Sequence, residues 1–142
     1  MKVARIFYAG MLVLAVSACA AGLFSKDGAP VLPPLDAGKG RVLFYRNSTS
    51  SAAYTPDVRL NGQSVGKADR RGVFFKDVVP GSYAVTTSIT SKVINFYVGA
   101  GEKKYVRINN SFFGSNVYPE LVESAKGESE SSGLGLLGQG RK

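Results

Sequence analysis

Cys19 carries the only thiol in a chain of 142 residues, and histidine and tryptophan are absent altogether. Those counts bound the chemistry. A single cysteine has no internal partner for a disulfide. Without histidine, the commonest general base at neutral pH and the commonest metal ligand are both missing. Ser91-Lys92 comes nearest to a nucleophile with a base beside it, yet neighbours on a strand point to opposite faces. Asp57, Asp69, Asp77 and Glu102 stand near turn residues, where carboxylates are ordinary caps. Gly99-Ala100-Gly101-Glu102 leads into a strand pattern, whereas a phosphate cradle opens a helix. The residues therefore give no catalytic constellation, no metal site and no cofactor motif.

Two groups remain that could bind something. Lys67, Arg70 and Arg71 follow a hairpin pattern, and Lys103 with Lys104 sits in another turn. If those ends of the sheet coincide, the five cations form one basic patch for an anionic ligand. The bland alternative is a solvated surface, since lysines at strand ends also discourage edge-to-edge aggregation. Phe112-Phe113-Gly114 is either an exposed aromatic tip for a partner or membrane, or a pair tucked under its own loop. A net charge of +8 suits phosphate head groups, peptidoglycan carboxylates or acidic protein surfaces.

Cys19 has the more specific setting. Lys2 and Arg5 precede an apolar run of 11 residues, Ile6 to Val16, well short of the roughly 20 that span a bilayer. Ser17 and Ala18 are small, and Val16-Ser17-Ala18-Cys19 resembles the lipobox of bacterial lipoprotein signal peptides. The resemblance implies cleavage after residue 18 and acylation of Cys19 with three chains, where a single chain would hold only marginally. Ala20 stands where an aspartate would retain such a protein in the inner membrane. The rule thus implies the outer membrane, periplasmic face. That address makes a membrane the first partner and leaves nucleic acid none.

The positioning elements follow in order. Residues 19–39 carry Pro30, Pro33 and Pro34 without apolar periodicity and read as a tether; the alternative is a docked arm using Val31, Leu32 and Leu35. Residues 41–46 are apolar on both parities between two arginines, the mark of a strand covered on both faces. Asn61-Gly62 is expected to form a type I′ hairpin placing Leu60 opposite Gln63 and Val58 opposite Val65. Pro80-Gly81 suits a type II turn. Ile94, Phe96 and Val98 should face inward, as should Val106 and Ile108, with Lys104, Tyr105 or Arg107 toward solvent. Pro119 places a last short strand, 117–122, at an edge. Seven or eight short strands predict an all-β fold, an antiparallel sandwich or small barrel over residues 40–123, with the small β-sandwich the expected form. Residues 124–142, rich in glycine and serine, read as a disordered tail. Leu134, Leu136 and Leu137 are its one docking motif.

The order of these features resembles the DUF2846 lipoprotein family. The resemblance is carried by Gly40–Arg46, the Val58–Gly66 hairpin, Phe75 before Val79-Pro80-Gly81-Ser82-Tyr83, and Ala100–Arg107. The Leu-Asn-Gly hairpin and the Pro-Gly-Ser-Tyr turn also resemble PEGA-type β-sandwich modules, which are non-catalytic. DUF2846 implies a fold and carries no assigned activity. The expectation is a lipid-anchored adaptor or structural module presenting loops to an envelope protein. The competing expectation is a binding module for an anionic envelope polymer or lipid.

Overall fold

The computed structural model describes residues 31–49, 54–111 and 116–138. Cys19, Phe112 and Phe113 lie outside them. The chain forms β1 (Gly40–Arg46), β2 (Asp57–Leu60), β3 (Gln63–Lys67), β4 (Gly72–Val78), β5 (Gly81–Thr87), β6 (Ile94–Val98), β7 (Lys103–Asn110), β8 (Val117–Val122), α1 (Ser124–Ser131) and β9 (Gly135–Leu136). One sheet has the order β8-β7-β1-β4-β9 and the other β3-β2-β5-β6. Val42, Phe44, Phe74, Val106 and Ile108 from the first meet Val58, Leu60, Val85 and Val98 from the second in one buried layer. Phe44 and Phe74 stack across β1 and β4 with ring centroids 5.1 Å apart. The all-β sandwich expected from strand spacing is the fold.

β1 is central and buried along its whole length, as an apolar run on both parities requires. Asn61 and Gly62 have φ of 49° and 81°, the two positive values a type I′ turn needs. Leu60 faces Gln63 as expected, but the ladder then shifts, so Val58 faces Gly66 in place of Val65. A Cβ at residue 66 would lie 2.8 Å from the Phe74 ring. The bulge therefore brings bare backbone over that ring, where a valine would collide.

Other expectations are corrected. β1 pairs with β7 in parallel, as β4 does with β9, so the sandwich is mixed. Between β1 and β7 the chain passes through the second sheet and returns in the same direction. Gly81 does not take positive φ, which excludes a type II turn with glycine at its third position. Pro80 instead sits in the crossing from β4 to β5, which belong to different sheets. There the Tyr83 hydroxyl donates to the Val79 carbonyl at 2.6 Å.

The chain ends differ most. Residues 31–39 were expected to be free tether, yet Pro33 and Pro34 are held by hydrogen bonds and Leu32 packs on the outer face of the five-stranded sheet. Residues 124–138 are not a disordered tail. α1 lies against β7, Gly127 allowing the approach because a Cβ there would sit 2.3 Å from that of Tyr105. Leu134 is buried, and Leu137 donates its amide to Val73 at 2.8 Å. Residues 139–142 lie outside the described residues. Glycine content argues against a free helix; here tertiary packing decides the outcome.

Candidate functional site

β1 and its neighbours fix where the expected cations fall. Arg41 is opposite Lys103 at one end of β1, and Arg46 is opposite Gly72 at the other. Arg70 and Arg71 thus stand one strand length from Lys103 and Lys104, roughly 20 Å at the usual rise per residue. Lys67, Arg70 and Arg71 share one end; Lys103 and Lys104 share the other. The single basic patch does not form. Lys104 pairs with Glu102 at 2.6 Å. That pair, then the Gly99 amide, holds the Glu102 carboxyl below the usual carboxylate range. Arg71 takes a φ of 51° and its carbonyl accepts from the Gly135 amide, which makes it a docking point for β9.

The arginines bracketing β1 matter more than those flanking the hairpin. Arg41 shares a face with Leu43 and Tyr45 and is only 2% exposed. Its Nε donates to Asp77 Oδ1 at 2.5 Å and its Nη2 to Oδ2 at 2.7 Å. Nη1 donates to the Pro33 carbonyl at 2.7 Å, and the guanidinium lies 4.2 Å over the Phe75 ring. Hydrogen bonds from Arg41 hold the Asp77 carboxyl below its ordinary range, against the opposing effect of burial. One side chain thereby joins β1, β4 and the N-terminal arm. Arg46 shares the opposite, inward parity with Val42 and Phe44 and is fully buried. It donates to the carbonyls of Tyr54 and Ala68 and to Asn110 Oδ1. Burial pushes its pKa down, with Arg70 adding to the effect. It closes the end of the sandwich where the loops meet.

A second polar cluster ties α1 to the sheet. Arg107 on β7 donates to Glu130 Oε1 and to Glu120 Oε2, both at 2.9 Å. Tyr45 donates to Glu130 Oε2 at 2.6 Å, and Asn109 donates to Glu120. Burial, then the bond to Glu130, pushes the Tyr45 phenol up. Hydrogen bonding to Arg107 holds Glu120 down. Arg107 was expected in solvent, and Tyr105 as well; both are covered because α1 lies over them.

Between these clusters a cavity of about 310 Å³ opens on the outer face. Leu43, Val73 and Tyr105 form its floor, and Leu32 of the arm forms one wall. Lys103, Glu128, Ser131 and Ser132 supply its polar lining. Lys103 is the only expected cation that borders it. An apolar floor with one cation and one anion beside it can take a small amphipathic group or a side chain. Among the described residues, no three of His, Cys, Asp and Glu are grouped to hold a metal ion.

Sheet, clusters and cavity together define a small β-sandwich domain whose outer face is closed by residues 31–39 and 124–138, the segments flanking the sandwich. Residues 36–119 match DUF2846, a protein family of unknown function, and the chain belongs to that family. The match begins at Asp36 and stops at Pro119, so α1, β9 and the end of β8 lie beyond it. Neither a curated protein nor a solved structure matches the chain.

Proposed function

We propose that this chain is a lipid-anchored, non-catalytic module of the bacterial envelope, moored through Cys19 to the outer membrane and facing the periplasm. It acts as a structural or protein-interaction element. The observation that carries the proposal is the clamped N-terminal arm. Arg41, paired with Asp77, fixes the chain at Pro33 and Pro34, a short spacer downstream of the lipobox-like Val16-Ser17-Ala18-Cys19. Only residues 20–32 separate an acylated Cys19 from the anchored Pro33, which limits the reach to about 45 Å when fully extended. A domain held at a fixed point close to a membrane suits a bridging role. The buried ionisable groups also favour structure over catalysis, since Arg41, Tyr45 and Arg107 are engaged in joining elements.

The second reading, a module for an anionic envelope ligand, keeps support only at Lys67, Arg70 and Arg71, because Lys103 and Lys104 are a strand length away. Fractionation of the native organism beside a Cys19→Ser variant tests the anchor. Wild type is expected in the outer-membrane fraction and the variant in the soluble periplasm; soluble wild type, or a bare thiol by mass spectrometry, ends the proposal. In-cell crosslinking separates the roles. A protein adduct supports the adaptor, whereas a glycan or lipid adduct lost in Arg70→Glu/Arg71→Glu supports the ligand module.

A further inference from the structure

The cavity on the outer face has an apolar floor, Leu43, Val73 and Tyr105, and a rim bearing opposite charges, Lys103 and Glu128. Among the described residues neither of those charges is engaged in an ion pair. At about 310 Å³ the cavity stands at the small end of ligand pockets. One wall is Leu32, so the chain passes the opening just before it is clamped at Pro33 and Pro34. The residues upstream carry the matching chemistry. Between Cys19 and Val31 the large apolar side chains are Leu23 and Phe24, and the charged ones are Lys26 and Asp27. Phe24 lies eight residues before Leu32, about 27 Å of extended chain, and Gly28 between them allows the chain to reverse.

We propose that this cavity is the docking site of residues 23–27 of the same chain, with Leu23 and Phe24 on the apolar floor, Lys26 toward Glu128 and Asp27 toward Lys103. Three features select this occupant. Attachment beside Leu32 gives it an effective concentration on the order of millimolar. Its sequence, two apolar residues followed by a cation and an anion, matches the floor and both rim charges. Other stretches of the chain fit less well. Residues 139–142 hold no apolar side chain, and the links after β1 and β7 leave from Arg46 and Asn110, at the end of both strands away from Lys103. Docking also shortens the anchor. With Leu23 held, three residues separate it from Cys19, a reach of about 14 Å against about 45 Å from Pro33. That consequence, though not the docking, rests on the lipid-anchor reading. An acylated Cys19 then keeps the sandwich against the bilayer until the segment is displaced.

The test is disulfide trapping in envelopes of the native organism, with the bond located by mass spectrometry and both the native Cys19 and the Cys19→Ser backgrounds followed. Phe24→Cys/Ser132→Cys places one thiol on the segment and one on the cavity rim. Phe24→Cys/Gln63→Cys, with its second thiol on the other sheet, is the comparison. Ser132 and Gln63 are both exposed, so cysteine at either leaves the core untouched. The first pair is expected to close about tenfold faster than the second, because docking raises the local concentration only at the rim. Lys103→Glu should slow that closure about threefold, the scale of a surface ion pair, and Asp27→Lys in the same chain should restore it. Equal rates for the two pairs overturn the proposal, as does a bond joining position 132 to any other segment or protein in place of position 24. Charge variants that change nothing, or a second substitution that restores nothing, overturn it as well. The two readings fail separately: a bare Cys19 thiol ends the anchor and leaves the docking, whereas equal rates end the docking and leave the anchor.

Discussion

The two faces of the five-stranded sheet do different work. The inward face packs Val42, Phe44, Phe74, Val106 and Ile108 against the second sheet, and the buried charge on it among the described residues is Arg46, at its end. The outward face carries a smaller apolar cluster of Leu43, Tyr45, Val73, Phe75, Tyr105, Val122 and Leu134. It is bordered by Arg41–Asp77 on one side and by Arg107 with Glu120 and Glu130 on the other. The inner layer is continuous and, among the described residues, takes only Leu137 from the segments flanking the sandwich. The outer layer is completed only when the arm at Leu32 and the segment from α1 to Leu136 lie across it. One face makes the fold, and the other decides where residues 31–39 and 124–138 are held.

The largest expected effect breaks the inner layer. Phe44→Ala removes a fully buried ring stacked on Phe74, and denaturant titration should read a loss of about 4 kcal/mol. On the outer face, Arg41→Ala leaves Asp77 without its guanidinium and should cost about 3 kcal/mol or more. Arg41→Met should cost clearly less, because it leaves apolar cover over Phe75. Equal losses in the two variants would mean that the lost ion pair with Asp77, and not packing on Phe75, sets the cost. Leu134→Ala should cost about 2 kcal/mol and act locally, loosening residues 124–138 while the inner layer stays intact. A loss as large as that of Phe44→Ala would erase the distinction between the faces.

The smallest effect is in pH dependence. Asp77 and Glu120 titrate below their unfolded values, each held down first by a hydrogen bond from an arginine. Their contribution is present above the unfolded carboxylate values, near pH 4, and is lost as pH falls through the lower folded values. Glu120→Gln should flatten that acid limb and lower stability near pH 7 by the contribution removed, leaving the slope near pH 7 unchanged. Tyr45 has the opposite sign. Its phenol is raised, so its share is complete below about pH 10 and fades only above.

Local chemistry made much of this legible in the sequence. Asn61-Gly62 specified its turn because only those residue types accept positive φ twice in succession at low cost. Alternation placed Ile94, Phe96 and Val98, and Pro119 marked an edge. What escaped depends on partners distant in the chain. Arg41 meets Asp77 36 residues on, and Arg46 meets Asn110 64 residues on, so an arginine ending a strand looks solvated until its acceptors are placed. Arg46 did leave one signal: it shares the parity of Val42 and Phe44. Gly127 fell within the stretch read as a tail, because its use is closeness to Tyr105, which composition does not encode. The bulge at Gly66 was hidden for the same reason. Of the expected cations, Lys103 alone came to border the cavity.

Amide hydrogen exchange on the full chain tests most directly whether the outer face holds both ends. The amides of Gly135 and Leu137, bonded to Arg71 and Val73, and that of Lys39, bonded to Asp36, should all be protected in wild type. In Leu134→Ala the first two should lose protection, and in Arg41→Ala that of Lys39 should, with β1 and β7 protected throughout. Free exchange of all three in wild type, beside fully protected β1 and β7, would contradict the account.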